Sequence, residues 1–272
     1  MKTRADEVLI RRTIEDFGNQ WTRYPDNDGY YASVTMLADI LAPFAVPDEF
    51  RGAQVAEIGS GSGRIVNMLL DAGAAHVVAL EPSAAIEALR GNTADRAARV
   101  TCVQAPGELL PLGNFDVVLS IGVLHHIAEP APVVRRAHDA LKPGGRFIVW
   151  IYGREGNRLY LAVAEPLRHI TRRLPDFLLA GLAHALVPWL SLYVLLCRFL
   201  PLPMRDYMRN VIDRYGWRHR FLTIFDQLNP AYAKYYTEDE ARCLLTDAGF
   251  VNVRLHNRHG YSWVIVGERP GA

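Results

Sequence analysis

Only three cysteines, Cys102, Cys197 and Cys243, occur in 272 residues, far apart and without a CxxC pair. That spacing excludes a disulfide framework and a cysteine zinc site, and it fits a reducing compartment. An excess of charge is missing too: 30 Lys and Arg face 29 Asp and Glu, a formal +1. Nucleic-acid binding normally calls for a basic surface, so no nucleic-acid partner is expected. No His, Cys or Asp spacing suggests a metal. The stretch MKTRADEVLIRRTIEDFG is charged and has no apolar h-region, so no secretory signal is expected there and the cytoplasm is the default location. Internal repeats and low-complexity tracts are also absent.

What is present is an alternation. From Arg4 to about Phe50 the pattern is helical, interrupted by the turn-rich run Tyr24–Tyr31, YPDNDGYY. Short β-branched runs then alternate with helix-length segments. The expected strands are Gln54–Ile58, His76–Leu80, Val100–Gln104, Phe115–Ile121 and Arg146–Ile151; the expected helices are Arg64–Ala72, Ser83–Asn92 and Pro132–Leu141. This is the signature of βαβ units and a parallel, doubly wound sheet. Residues 153–236 break the rhythm with Leu-, Arg- and Pro-rich helical sequence and read as an insertion. Thr237 then caps a helix, with Glu240 three residues on as a capping box, and Gly249 ends it. Two final runs, Val251–Leu255 and Tyr261–Gly267, are joined through Arg258-His259-Gly260 and imply an antiparallel hairpin. The expected fold is α/β: a Rossmann-like seven-stranded sheet with a C-terminal antiparallel hairpin. Its expected parts are an N-terminal helical cap (1–50), a nucleotide-binding core (51–152), a helical insertion over the substrate (153–236), and a closing helix and strands (237–272).

The segment with most chemistry is Val55–Arg64, VAEIGSGSGR, a buried strand running through a glycine turn into a helix. A dinucleotide fingerprint would read GxGxxG. Here Gly59, Gly61 and Gly63 are spaced GxGxG, and Arg64 stands where the third glycine would be. Glu57, two residues before Gly59, would repel a pyrophosphate but suits a cationic ligand. S-adenosylmethionine has no phosphate and carries a sulfonium and an ammonium, so this chemistry selects it over NAD. Glu81, in VVALEPS, lies 18 residues after Gly63, close to the spacing at which an acid reaches ribose hydroxyls.

The run from Val55 to Ile151 resembles the core of class I S-adenosylmethionine-dependent methyltransferases of the type 11/25 kind. EIGSGSG resembles their first motif, LEPS their second-strand acid, FDVVLSIGVLHHI their fourth strand and loop, and LKPGGRFIVW their fifth. FGNQWTRY and DQLNPAYAKYYTEDEARCLLTDAGF resemble, less specifically, methyltransferases of small-molecule and glycan pathways. The resemblance implies S-adenosylmethionine as cofactor. Glu57, Gly59, Ser60, Gly61 and Gly63 would line its methionine portion, Glu81 and Pro82 its ribose, and Pro106, Glu108 and Ile121 the rest. Where the family often has an acid beside the adenine, this chain reads Gln104-Ala105-Pro106-Gly107-Glu108. Adenine recognition by Pro106, Gln104, backbone amides or Glu108 is left open.

Methyl transfer from a sulfonium is an in-line displacement that needs alignment above all, and a general base only for a protonated acceptor. His125 and His126, just past the fourth strand, stand at the edge where ligands sit in open α/β sheets. One imidazole facing the acceptor while the other packs is one division; two structural histidines is the alternative. A second set, His256, Arg258, His259 and Tyr261, cannot all address one site, because strand alternation puts His256 and Arg258 on one face. A solvated hairpin far from the cofactor edge accounts for that set equally well. The aromatic sets Trp21, Tyr24, Tyr30, Tyr31 and Tyr232, Tyr235, Tyr236 read as a lid over the sulfonium or as core, with Tyr30 and Tyr31 favoured as lid by the DNDG turn.

Phe177–Cys197 is long enough to span a bilayer, and it contains His184 but no Asp, Glu, Lys or Arg. Three readings compete: a span, a substrate lid, and a peripheral membrane surface or homodimer interface. Pro175, Pro188, Pro201 and Pro203 are expected to divide the run into short helices, which favours the lid. An apolar lid implies a small-molecule acceptor with a hydrophobic body, contacted by Tyr30, Tyr31, Tyr152, Arg154, Tyr235 and Tyr236. Arg154, Arg168, Arg172 and Arg173 would meet a carboxylate or phosphate on it. The competing functions are an NAD-dependent oxidoreductase and a non-catalytic methyltransferase-like partner subunit.

Overall fold

The computed structural model describes residues 4–171, 174–229 and 232–271, so Arg172 and Arg173 lie outside the described residues. Helices α1 (Arg4–Arg23) and α2 (Val34–Leu41) precede the core, which runs β1 (Gln54–Ile58), α3 (Arg64–Asp71), β2 (His76–Leu80), α4 (Ile86–Asn92), β3 (Val100–Val103), β4 (Phe115–Ile121), α5 (Ala131–Ala140) and β5 (Leu141–Tyr152). Four inserted helices follow: α6 (Arg158–Thr171), α7 (Asp176–Phe199), α8 (Arg205–Asn210) and α9 (Trp217–Leu228). The chain closes with α10 (Glu238–Thr246), β6 (Val251–Arg258) and β7 (Ser262–Glu268).

The seven strands form one sheet in the order β3-β2-β1-β4-β5-β7-β6, with β7 antiparallel to both of its neighbours and the first five strands parallel. The order reverses between β1 and β4, and that switch point is where such a sheet opens a crevice beyond its carboxyl ends. Strand alternation splits the core in two. Val55, Val117, Leu119 and Ile148 pack on one face with α2 and α3; Ala56, Ile58, Val118, Phe147 and Val149 pack on the other with α5 and α10. Burial on both faces is why these strands read as continuous apolar runs.

Besides β6, which runs past its expected end at Leu255 to Arg258, three elements differ from expectation. Helix α4 starts at Ile86 rather than Ser83, because Ser83 bonds Glu81 and accepts from the Ala85 amide at 3.1 Å, which holds 83–85 as a turn. Strand β5 begins at Leu141: Lys142–Gly145 is absorbed into a register irregularity, since Phe115 pairs with Leu141 and Val117 with Arg146. Helix α7 is continuous over 24 residues with Pro188 inside it. A proline there forfeits one helical bond and costs about 3 kcal/mol. The helix survives because Leu179, Ala183 and Val187 pack with Phe221, Leu222 and Phe225 of α9 in a separate core.

At α10 the Thr237 hydroxyl accepts from the Glu240 amide at 3.3 Å, and the Glu240 carboxylate accepts from the Thr237 amide at 3.0 Å. Thr237→Ala should therefore cost about 1 kcal/mol, read as a lower midpoint in urea with an unchanged slope.

Candidate functional site

The β1–α3 turn needs backbone that only glycine adopts easily. Gly59, Gly61 and Gly63 have φ of 78°, 52° and 84°. A Cβ on Gly59 would lie 2.5 Å from the Val123 side chain, and one on Gly61 would lie 3.2 Å from the Trp21 ring. The turn is also tied from outside. Asn27 exchanges hydrogen bonds with Ser62 at 3.1 Å, and the Asn92 amide group donates to the Ser62 and Pro25 carbonyls at 2.8 and 2.7 Å. The N-terminal segment thus roofs the glycine turn.

Glu57 and Glu81 stand at the ends of β1 and β2, both buried. Glu81 is engaged on both oxygens: Oε2 accepts from the Gly61 amide at 2.8 Å, and Oε1 accepts from the Ser83 amide at 3.0 Å and its hydroxyl at 2.5 Å. Oε2, with one bond made, has further acceptor capacity. Glu57 is different. Its Oε2 is buried with no hydrogen-bond partner, and burial pushes its carboxyl up from 4.5 to about 8, partly offset by the Ser60 hydrogen bond and the Arg64 charge. Arg64 turns towards Tyr31, donating to its carbonyl at 3.0 Å and lying 4.2 Å from its ring centre.

These residues line one end of a cavity of ≈ 330 Å³ at the switch point. Gly59, Ser60, Gly61, Pro82, Pro106, Gly107, Glu108 and Ile121 line it; Gln104 does not, and instead donates to the Ser83 carbonyl at 3.3 Å. Gly63 lies behind the turn against Leu89. The same cavity continues to Trp150, Tyr152, Tyr207, Tyr215, Asp226 and Tyr261. The glycine-turn wall and the aromatic wall therefore enclose one space.

The two histidines separate. His125 is fully buried, does not line the cavity, packs 3.8 Å from the Tyr152 ring, and has no partner at either ring nitrogen; burial holds it far below its ordinary value. His126 does line the cavity. Its Nδ1 lies 2.8 Å from the Tyr232 carbonyl, which can only accept, so Nδ1 carries the proton and Nε2 holds a lone pair. Burial lowers this imidazole to about 4, so it is neutral at neutral pH.

The expected acceptor residues are not all together. Tyr31 and Tyr152 line the cavity. Tyr30 lies outside it, beside Tyr215 and under the Arg214 guanidinium at 4.9 Å. Tyr235 stacks behind Tyr152 at 5.1 Å. Tyr236 is core, because its main chain bridges Gly153 and its ring packs with Ala241 and Trp263. Arg154 is exposed; its amide donates to the Tyr236 carbonyl at 2.8 Å and its carbonyl accepts from the Asn157 amide at 3.3 Å. Arg168 is buried and donates to the Gln227 carbonyl and the Tyr235 hydroxyl at 2.9 and 3.1 Å, so it backs the site rather than meeting a ligand.

Sequence reasoning missed a polar chain along this wall. Arg168 donates to Tyr235, Tyr235 to Gln227 at 3.3 Å, Gln227 to Tyr152 at 2.8 Å, and Tyr152 to Asp226 at 3.2 Å. Every donor points towards Asp226, whose carboxyl burial pushes up. The signal lay in FLTIFDQL, where Leu222 and Asp226 fall one helical turn apart on the cavity face of α9. Arg258 and Tyr261 are also cavity residues rather than solvated hairpin. Arg258 bonds the Asp39 carbonyl at 3.0 Å, the Asp39 carboxylate, and the Tyr261 hydroxyl at 2.7 Å, which folds the β6–β7 turn onto α2; His256 stays exposed. Among the described residues no cluster of three His, Cys, Asp or Glu is placed to hold a metal.

Comparison with known proteins bears on the parallel core of the sheet. Residues 56–149 match the family described as "Methyltransferase domain". The tRNA U34 carboxymethyltransferase of Shewanella sediminis is 31% identical over 115 residues, 41% of this chain and 35% of that one. The ubiquinone biosynthesis O-methyltransferase of Roseobacter denitrificans is 28% identical over 153 residues, 53% and 59% of the two chains. This chain thus spans about a third of the length of the tRNA enzymes it matches. Among solved structures, magnesium protoporphyrin IX methyltransferase of Synechocystis PCC 6803, with bound S-adenosylhomocysteine, superposes with TM-score 0.55 at 17% identity over 97% of this chain and 99% of that one. The 1,6-didemethyltoxoflavin-N1-methyltransferase of Burkholderia thailandensis gives 0.54 at 18% identity over 99% and 92%. With the sheet order, the glycine turn and this family match together, residues 56–149 are a methyltransferase domain of class I, the S-adenosylmethionine-dependent type.

Proposed function

We propose that the chain transfers a methyl group from S-adenosylmethionine to oxygen or nitrogen of a small acceptor with a hydrophobic, aromatic-sized body. The observation that carries this reading is the single cavity joining the Glu57–glycine-turn end to the aromatic end walled by Trp150, Tyr152, Tyr207 and Tyr215. S-adenosylmethionine supplies an activated methyl on a cationic sulfur. The orphaned Glu57 oxygen fits its ammonium, the positive-φ glycines leave room for its main-chain-like tail, and Glu81 keeps acceptor capacity for ribose hydroxyls. Arg64, the cation beside the turn, donates to the Tyr31 carbonyl and lies over its ring. The likeness to the tRNA enzymes covers 41% of this chain and says nothing of the acceptor.

On the acceptor side the protein aligns and desolvates. Tyr31, α8 and α9 cover the cavity, and Asp226 with its polar chain offers an oriented acceptor for a donor group on the substrate. His126 Nε2, held unprotonated by the Tyr232 carbonyl, takes the proton of a hydroxyl or amine as the methyl arrives.

Two outcomes test the parts separately. Donor binding to Glu57 requires its ionised form, so below about pH 8 binding should release a proton and affinity should rise with pH, levelling above that value. Glu57→Gln should abolish that dependence and weaken binding about ten- to a hundredfold, read by calorimetry. His126→Asn should lower turnover about a hundredfold or more with donor affinity retained, and the acid limb of the wild-type rate profile should lie well below pH 6.5 because His126 titrates near 4. His125→Leu should leave the rate profile in place. Unchanged turnover in His126→Asn removes it from the mechanism.

A further inference from the structure

The insertion carries a surface that the cavity does not use. On α7, Leu178, Ala185, Trp189, Leu192, Leu196 and Phe199 recur at helical spacing and are all exposed, Trp189 at 69% and Phe199 at 77%. No Asp, Glu, Lys or Arg lies between Asp176 and Arg198, so the stripe is uninterrupted by charge for about 30 Å at 1.5 Å per residue. An outward apolar face of this length on a helix that is otherwise packed needs a covering medium.

The charge distribution says which. Residues 153–236 hold twelve Arg and Lys against six Asp and Glu, a formal +6, which leaves −5 on the rest of the chain. A second copy seated on the stripe would bring two +6 insertions together; an anionic surface would be attracted. α7 is long and apolar enough to cross a membrane, but its inner face is committed: Leu179, Ala183 and Val187 pack with α9, and the His184 ring stacks 4.1 Å from Phe221. A transverse span would strip those contacts, whereas a helix lying in the interface keeps them.

We propose that the exposed stripe of α7 docks this chain on an anionic bilayer surface, with the helix lying in the plane of the interface. The layer that docks is also the cavity wall, because α7 packs on α8 and α9, and Tyr207, Leu222 and Asp226 of those helices line the site. The acceptor end of the cavity therefore sits close behind the membrane-facing helix, an arrangement suited to an amphiphilic substrate drawn from the bilayer.

Vesicle flotation tests this without reference to turnover. The full chain is mixed with vesicles of phosphatidylcholine alone or with one-third phosphatidylglycerol. The wild type should float with the anionic vesicles, lose that binding in high salt, and show a blue shift of tryptophan emission. Trp189→Glu/Leu196→Glu should stay in solution while melting and binding S-adenosylhomocysteine as the wild type does; Leu192→Ser/Leu196→Ser, a milder pair, should show an intermediate loss. Wild-type protein that remains in solution with both vesicle types overturns the proposal. So does a concentration-dependent dimer in light scattering that the double variant abolishes while vesicles bind neither protein, since a second copy then covers the face.

Discussion

A carboxyl group sealed beneath a backbone turn is costly unless something arrives to meet it, and Glu57 is such a group. Its Oε2 has no hydrogen-bond partner, and its proton is held to about pH 8 chiefly by burial. The surrounding structure is arranged to keep it there. The glycines bring backbone close without side chains, Trp21 and Asn27 close the turn from the N-terminal segment, and Glu81 fixes the Gly61 amide from the neighbouring strand. The parallel sheet provides the rigid base, because β1 lies between β2 and β4 at the switch point.

That environment changes how the donor preference works. From sequence, Glu57 reads as a standing negative charge that repels pyrophosphate. In the fold it is a neutral acid near pH 7 that ionises when a cation is delivered beside it. Selectivity then comes from differential stabilisation: a cationic ligand gains an ion pair in a low-dielectric pocket, and an anionic one gains nothing. His126 follows the same logic on the acceptor side, kept neutral by burial and oriented by a carbonyl.

Much of this was legible because it is local. The strands β1, β2 and β4 begin and end where the apolar runs do, and the capping box at Thr237 is present as its spacing implies. The strand-end acids are placed by the register of adjacent parallel strands. Other features depend on contacts far apart in the chain. Arg258 reaches the cavity only because Asp39, 219 residues away, anchors it, and strand periodicity contains no trace of that pairing. Asp226 looks like an ordinary helix acid until α1 and Tyr152 enclose it. Pro188 reads as a break, yet packing against α9 outweighs the lost helical bond. Tyr236 reads as part of an aromatic lid and Arg154 as a cation for the acceptor, yet the fold buries Tyr236 in the core and leaves Arg154 exposed.

The central claim is that the buried acid and glycine turn form a site for a cationic nucleoside donor rather than a dinucleotide. Calorimetric titration of the wild-type chain with S-adenosylmethionine and, separately, with NAD tests it most directly. The account predicts saturable binding of one S-adenosylmethionine per chain, with proton release at neutral pH, and no heat of binding from NAD. Saturable NAD binding without S-adenosylmethionine binding would contradict it.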